Sequence, residues 1–170
     1  VSGVATRLST FLDVVTTTRP TVGKPLVVGL SQGAMVAYAL AVLHPESLAA
    51  VFPVSGVLPE DVITATHTHP ASPLPLIHAF HGSKDPVFPI NVARDSVATM
   101  RLLGYRAELH EYADSEHMPG EDEERDLRHG KKVTTEEPDA KQVAAVRHGV
   151  LVAIVRIAKG VARVETGFPE

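Results

Sequence analysis

The chain has no cysteine and no tryptophan among its 170 residues, and aromatic residues make up only 5% of it. Without cysteine it can form neither a disulfide framework nor a thiol nucleophile nor a thiolate metal site. No apolar run approaches the roughly 20 residues that a membrane-spanning helix needs. Because disulfides belong to oxidising compartments, the lack of cysteine leads us to expect a cytoplasmic protein without a membrane span.

The chain also has no excess of positive charge. It carries 16 basic and 20 acidic residues, a formal net charge of −4. No basic patch with interleaved aromatic residues is present, so we expect no nucleic-acid partner. Hydrophobic residues make up 44% of the sequence, which is enough to bury one ordinary core. We therefore expect a single domain over residues 1–170.

Strand and helix patterns alternate along the chain. Because alternation of this kind is typical of a parallel sheet covered on both faces, it predicts a three-layer α/β/α fold with a mostly parallel sheet. A proline-containing loop is expected over residues 57–73, and a polar loop with a short helical piece over 116–138. The apolar periodicity predicts strands at 26–30, 48–54, 76–80 and 106–112, and helices at 4–15, 32–43, 89–103 and, as a long final helix, 140–164.

The segment Gly29-Leu30-Ser31-Gln32-Gly33 joins the first predicted strand to the helix that follows it. A G-x-S-x-G sequence in this context indicates a nucleophile elbow, in which a sharp turn lifts the serine hydroxyl above the sheet edge. The glycines let the backbone pass where a Cβ would clash. The alternative is a tight strand–helix turn capped by a serine, which any parallel α/β protein can contain.

An acid and a base follow later strands. Asp85 comes after the third predicted strand, and His117 comes after the fourth. Because sites in such sheets form at the carboxyl ends of the strands, these side chains should meet Ser31 at one edge. Their order along the chain, Ser, Asp, His, is that of α/β-hydrolases. Asp114 is an alternative acid, but it follows the same strand as His117.

Two motifs, Gly29-Leu30-Ser31-Gln32-Gly33 and His81-Gly82-x-x-Asp85-Pro86-Val87-x-Pro89, resemble those of one α/β-hydrolase group. This is the phospholipase/carboxylesterase group, which includes acyl-protein thioesterases. The resemblance implies that Ser31 is the nucleophile, His117 the general base and Asp85 the acid that orients it. It also implies that the backbone N–H of Gln32 is one oxyanion donor. The expected substrate is a small-molecule ester or acyl thioester, with neither metal nor cofactor.

The chain departs from that family at its start. Only one helix precedes the strand at 26–30, where the family has several strands and a loop that supplies the second oxyanion donor. We therefore expect an α/β-hydrolase fold without its N-terminal strands and an N-terminally incomplete domain. A strand left at a raw edge is also expected to promote self-association. The alternative to a competent esterase is a catalytically weak fragment or interaction module.

The remaining polar candidates have simpler structural interpretations. The pair His67 and His69 lacks a clear third metal ligand, so a surface loop is favoured over a metal site. His78 and His81 should point to opposite faces of one strand, with His81 structural, and His110 is a poor triad base. The charged segment 121–126 is interpreted as a solvated loop, with a lid over the site as the alternative.

Overall fold

A computed structural model describes residues 1–18, 23–64, 73–129, 143–147, 150–158 and 161–167. A short 3-10 helix, Pro45–Ser47, lies between the second helix and the second strand. The helices are α1 (Ser2–Thr18), α2 (Gln32–Leu43), α3 (Glu60–Ile63), α4 (Ile90–Leu102) and α5 (Glu121–His129). The strands are β1 (Leu26–Leu30), β2 (Ala50–Val54), β3 (Leu76–Gly82), β4 (Ala107–Tyr112), β5 (Val143–Arg147), β6 (Val150–Ala158) and β7 (Val161–Gly167).

All seven strands form one sheet in the order β4-β3-β2-β1-β5-β6-β7. The first four strands are parallel, and β5 pairs with β1 in parallel as well. β6 and β7 then continue the sheet antiparallel. The mostly parallel sheet of the predicted α/β-hydrolase fold is thus confirmed, and the described residues ahead of β1 contain no strand.

Helices cover the two faces of the sheet unequally. One face packs against α1, α2 and α4, and this core includes Leu12, Leu40 and Val97. α2 is buried along nearly its whole length, which explains why its sequence is apolar on all sides. The opposite face carries Phe52 and Phe80, against which Leu127 of α5 packs. The predicted three layers are therefore present.

The predicted final helix over 140–164 is wrong. The described residues of that region form the three strands β5, β6 and β7. Valine and isoleucine dominate this stretch, and such β-branched residues lose side-chain freedom in a helix and favour strands. The helical interpretation gave too much weight to the spacing of apolar residues. Apolar residues also alternate in this stretch, as at Val150, Val152 and Ile154, and this alternation fits a strand equally well.

Two further expectations need correction. β1 is not an unpaired edge strand, because β2 pairs with one side of it and β5 with the other. The strand therefore has no free edge through which copies of the chain could pair.

The segment 121–126 is not a solvated loop but the start of α5, although most of its side chains are exposed. The loop at 57–73 includes the short helix α3, and His67 and His69 lie outside the described residues.

Candidate active site

Ser31 occupies the sharp turn between β1 and α2. Its φ of 54° is in the left-handed region, which a non-glycine residue seldom adopts and which costs of order 1–3 kcal/mol. Its backbone N–H donates to the carbonyl of Val54 at 2.9 Å, which anchors the turn to β2. A Cβ at Gly29 would overlap the carbonyl of Gly33, so the turn requires glycine there. Ser31 directly follows Leu30, so its hydroxyl lies at the carboxyl end of β1.

Asp85 lies in the loop that follows β3, and its carboxylate is completely buried. The backbone amides of Val87 and Phe88 donate to Oδ1 at 2.8 and 3.0 Å. Burial alone would raise the pKa of Asp85, but the hydrogen bonds from Phe88, His117 and Val87 outweigh burial and hold that pKa below its usual range. The carboxylate is therefore ionised at neutral pH.

His117 lies in the loop that follows β4, between the other two side chains. Its Nδ1 is 2.9 Å from Oδ2 of Asp85, and its Nε2 is 3.0 Å from Oγ of Ser31. A Cβ at Gly82 would overlap the carbonyls of Ser115 and Glu116, so glycine lets the histidine loop approach the end of β3. In the neutral tautomer whose Nδ1–H donates to the carboxylate, Nε2 carries no proton and can accept from the serine hydroxyl.

The structure brings together the three residues singled out in the sequence and leaves the alternatives elsewhere. Asp114 is exposed and pairs with Nζ of Lys84 at 2.8 Å, not with His117. His110, on the edge strand β4, stacks on His78 of β3. Gln32 is the first residue of α2, so its backbone N–H is among those that a helix leaves without an internal partner.

His81 supports the loop that carries Asp85. It is buried, and its Nε2 donates to the Phe88 carbonyl at 2.7 Å. The same nitrogen lies 3.4 Å from Oδ2 of Asp85. His78 packs against Phe52 on the opposite face of the strand, as its odd spacing from His81 predicts. The expected structural role of His81 at the strand end therefore has a concrete form: it ties Phe88 to β3.

Sequence reasoning missed Glu123, the one buried member of the charged segment. Its side chain is completely buried, and neither carboxylate oxygen makes a hydrogen bond of good geometry. Burial raises its pKa to about 7, and the charge of Asp85 adds to this effect. The available signal was its spacing of four from Leu127, which places both residues on the same face of a helix. That face packs on the sheet.

Comparison with known proteins identifies the family of the chain. Residues 4–130 match the model of the family described as Phospholipase/Carboxylesterase, and this match spans most of the chain. The chain belongs to this family. The matched range includes Ser31 and the loops that carry Asp85 and His117. Among curated proteins, no sequence is significantly similar to the chain.

Solved structures of similar fold include several esterases. Esterase PE8 is 28% identical with a TM-score of 0.59, over 71% of this chain and 55% of that one. SOBER1 of Arabidopsis thaliana is 18% identical with a TM-score of 0.59, over 72% and 59%. Acyl-protein thioesterase 2 of Zea mays is 20% identical with a TM-score of 0.55, over 70% and 59%. This phospholipase/carboxylesterase family member thus spans less than two thirds of each of these chains.

Within the part of the chain that the structure describes, no helix is both long and apolar enough to cross a bilayer.

Proposed function

We propose that the chain is a serine hydrolase that cleaves carboxylic ester or thioester bonds through an acyl-enzyme intermediate. One observation carries the proposal: the His117 ring bridges Ser31 Oγ at 3.0 Å and Asp85 Oδ2 at 2.9 Å. Serine is a weak nucleophile unless a base lies within hydrogen-bond reach, and the base in turn needs an orienting carboxylate. The Ser31, His117 and Asp85 side chains meet both requirements.

In the first half of the reaction, Ser31 Oγ attacks the substrate carbonyl carbon while Nε2 of His117 takes the hydroxyl proton. The resulting imidazolium is stabilised by the ionised carboxylate of Asp85. The tetrahedral intermediate collapses, the bond to the alcohol or thiol breaks, and His117 gives its proton to that leaving group. The acyl group remains esterified to Ser31.

In the second half, water replaces the leaving group. His117 takes a proton from the water, whose oxygen attacks the acyl carbon and releases the carboxylic acid. His117 then returns the proton to Ser31 Oγ. The backbone N–H of Gln32, at the start of α2, is the proposed donor to the oxyanion in both halves, and the helix dipole adds positive potential there.

The surroundings of the proposed triad suit an acyl substrate. Val87, next to the acid loop, and Met118, next to the base, are both more than half exposed. Phe88 packs against the His117 ring with centroids 5.9 Å apart. These apolar side chains can cover the hydrocarbon part of a small ester or acyl thioester. The cysteine-free composition fits a cytoplasmic location, which stays a prediction.

The second candidate is a hydrolase-like module of low activity. It is favoured by the coverage of esterase PE8, of which the chain matches 55%. Among the described residues, the backbone N–H of Gln32 is the one oxyanion donor that we propose. Loss of one donor costs about 3 kcal/mol of transition-state stabilisation, or roughly a hundredfold in rate. Such a module keeps the serine activated but turns over slowly.

Labelling by a fluorophosphonate separates the candidates from an inactive protein. We expect intact mass spectrometry to show one adduct per chain, lost in Ser31→Ala and retained in Ser83→Ala, which alters an exposed serine near the site. Turnover of p-nitrophenyl acetate and an acetyl thioester then distinguishes a competent esterase from the slow module. Labelling that persists in Ser31→Ala would overturn the proposed nucleophile.

A further inference from the structure

Three side chains of types that can bind a metal ion lie close together on two neighbouring strands. They are His78 on β3 and Glu108 and His110 on β4, which is one of the two edge strands of the described sheet. Their ligand atoms form a triangle: His78 Nδ1 to His110 Nε2 is 3.4 Å, His78 Nδ1 to Glu108 Oε2 is 3.7 Å, and His110 Nε2 to Glu108 Oε2 is 3.9 Å. The same three atoms define all three sides.

The triangle follows from the register of the two strands. His78 is the parallel partner of Glu108, and His110 is two residues further along β4. Residues two apart on a strand share a face, so all three side chains project from the same side of the sheet. This face is the one that carries Phe52 and Phe80, opposite the face covered by α1, α2 and α4.

The dimensions suit a zinc ion. Zinc binds histidine nitrogen and carboxylate oxygen at about 2.0–2.2 Å, so the ligand atoms of a tetrahedral site lie about 3.4 Å apart. One side of the triangle has this length, and the other two exceed it by a few tenths of an ångström. Both longer sides end on Glu108, whose side chain is 66% exposed and can rotate inward.

Aromatic packing holds both imidazoles in place. The His78 ring lies between Phe52 and His110, with stacked planes and centroid separations of 5.7 Å on each side. Phe80 packs against the His110 ring at 4.7 Å. Little ordering is therefore needed before a metal binds.

We propose that His78, Glu108 and His110 form a second site, which binds one zinc-like divalent cation and clamps the edge strand β4 to β3. Two histidines and one glutamate supply three ligands, and water completes the tetrahedron. Solvent can reach the site through the exposed side of Glu108 and an adjacent surface cavity of about 280 Å³. Its three ligand atoms take no part in the hydrogen bonds described above for Ser31, His117 and Asp85, so its metal binding can be tested separately from the proposed hydrolase chemistry.

Zinc titration of the metal-stripped, untagged chain tests this proposal. We expect calorimetry to give one zinc per chain with a micromolar Kd, and Co²⁺ to give the visible absorption of a four-coordinate site. Glu108→Gln and His110→Phe should each weaken zinc binding by at least about tenfold, the scale on which even outer-shell changes act. His110→Phe keeps an aromatic ring in the stack, and Glu108→Gln alters an exposed side chain, so the fold should survive.

His44→Gln is the matched control. Nδ1 of His44 lies 3.9 Å from Oε1 of Glu46, but among the described residues no third metal ligand joins this pair. Its replacement should therefore leave zinc binding unchanged. Thermal unfolding adds a second measurement: zinc should raise the Tm of the wild-type and His44→Gln proteins, and should raise that of Glu108→Gln by less. The three-ligand site would be overturned if the wild type did not bind zinc. It would also be overturned if either Glu108→Gln or His110→Phe bound zinc as tightly as the wild type.

Discussion

Replacement of Glu123 by glutamine should stabilise the protein at neutral and alkaline pH. The carboxyl is completely buried in α5, and its pKa is raised to about 7. Burial is the main cause, the nearby charge of Asp85 adds to it, and the Ser115 hydroxyl and Gly120 amide oppose it only in part. Glutamine has nearly the same shape and carries no charge, so Glu123→Gln removes the titration without opening a cavity.

The sign of the pH effect follows from proton linkage. Between the pKa of an unfolded glutamate, about 4.5, and that of the folded protein, about 7, the folded state holds a proton that the unfolded state has released. Stability therefore falls as pH rises through this window and levels off above it. At about 1.4 kcal/mol per pKa unit, ionised Glu123 costs the folded protein about 3 kcal/mol above pH 7. Below pH 4.5 the wild type and Glu123→Gln should be about equally stable.

Urea unfolding followed by circular dichroism at pH 5, 6, 7 and 8 measures the effect. The stability difference between Glu123→Gln and the wild type should grow with pH and reach about 3 kcal/mol at pH 8. Glu124→Gln is the matched control, because Glu124 is its exposed neighbour in the same helix and should leave the pH profile unchanged. A constant difference across this range would refute the argument that a buried, titrating carboxyl destabilises the folded state.

Three other changes test the site and the packing. Asp85→Asn should lower kcat for a p-nitrophenyl ester by about 10⁴-fold, because the amide favours the wrong tautomer of the base. Asp114→Asn should change kcat little, and the reverse pattern would reassign the acid. Gly29→Ala should abolish both folding yield and probe labelling, because the new Cβ would overlap the first turn of α2, and normal yield would contradict the tight elbow. Tyr105→Phe should lower the free energy of unfolding in urea by about 1 kcal/mol, since the Tyr105 hydroxyl donates to the Ala41 carbonyl at 2.9 Å within the core. An unchanged unfolding midpoint would show that this hydrogen bond contributes nothing.

The proposed triad could be located from the sequence because each member depends on a local signal and one topological rule. Gly29 and Gly33 mark the elbow around Ser31, whatever the rest of the chain does. Asp85 and His117 each follow a recognisable strand, and the carboxyl ends of parallel strands meet at one edge. Their distances to one another nevertheless required the folded chain, in which Asp85 contacts His117 and Asp114 pairs with Lys84.

The last part of the chain shows where local signals are insufficient. Its valines and isoleucines satisfy a helical spacing as well as a strand pattern, and the apolar pattern alone does not separate the two. Pairing decides the outcome: β5 lies beside β1 in parallel, and β6 and β7 continue the sheet. The pairing of β5 with β1 joins residues as distant in the sequence as Val27 and Ala144, so no local window of sequence contains it.

Burial and convergence of polar groups were likewise decided only by tertiary structure. Glu123 stands in a run of charged residues, and only the docking of α5 on the sheet places it in the interior with a raised pKa. His78 and His110 are ordinary strand residues until the register of β3 and β4 puts them 3.4 Å apart. The sequence alone determined the chemistry available along each strand and turn, because that depends on neighbouring residues. Which of these groups meet, and which lose contact with water, depends on packing between distant elements and was decided only in the fold.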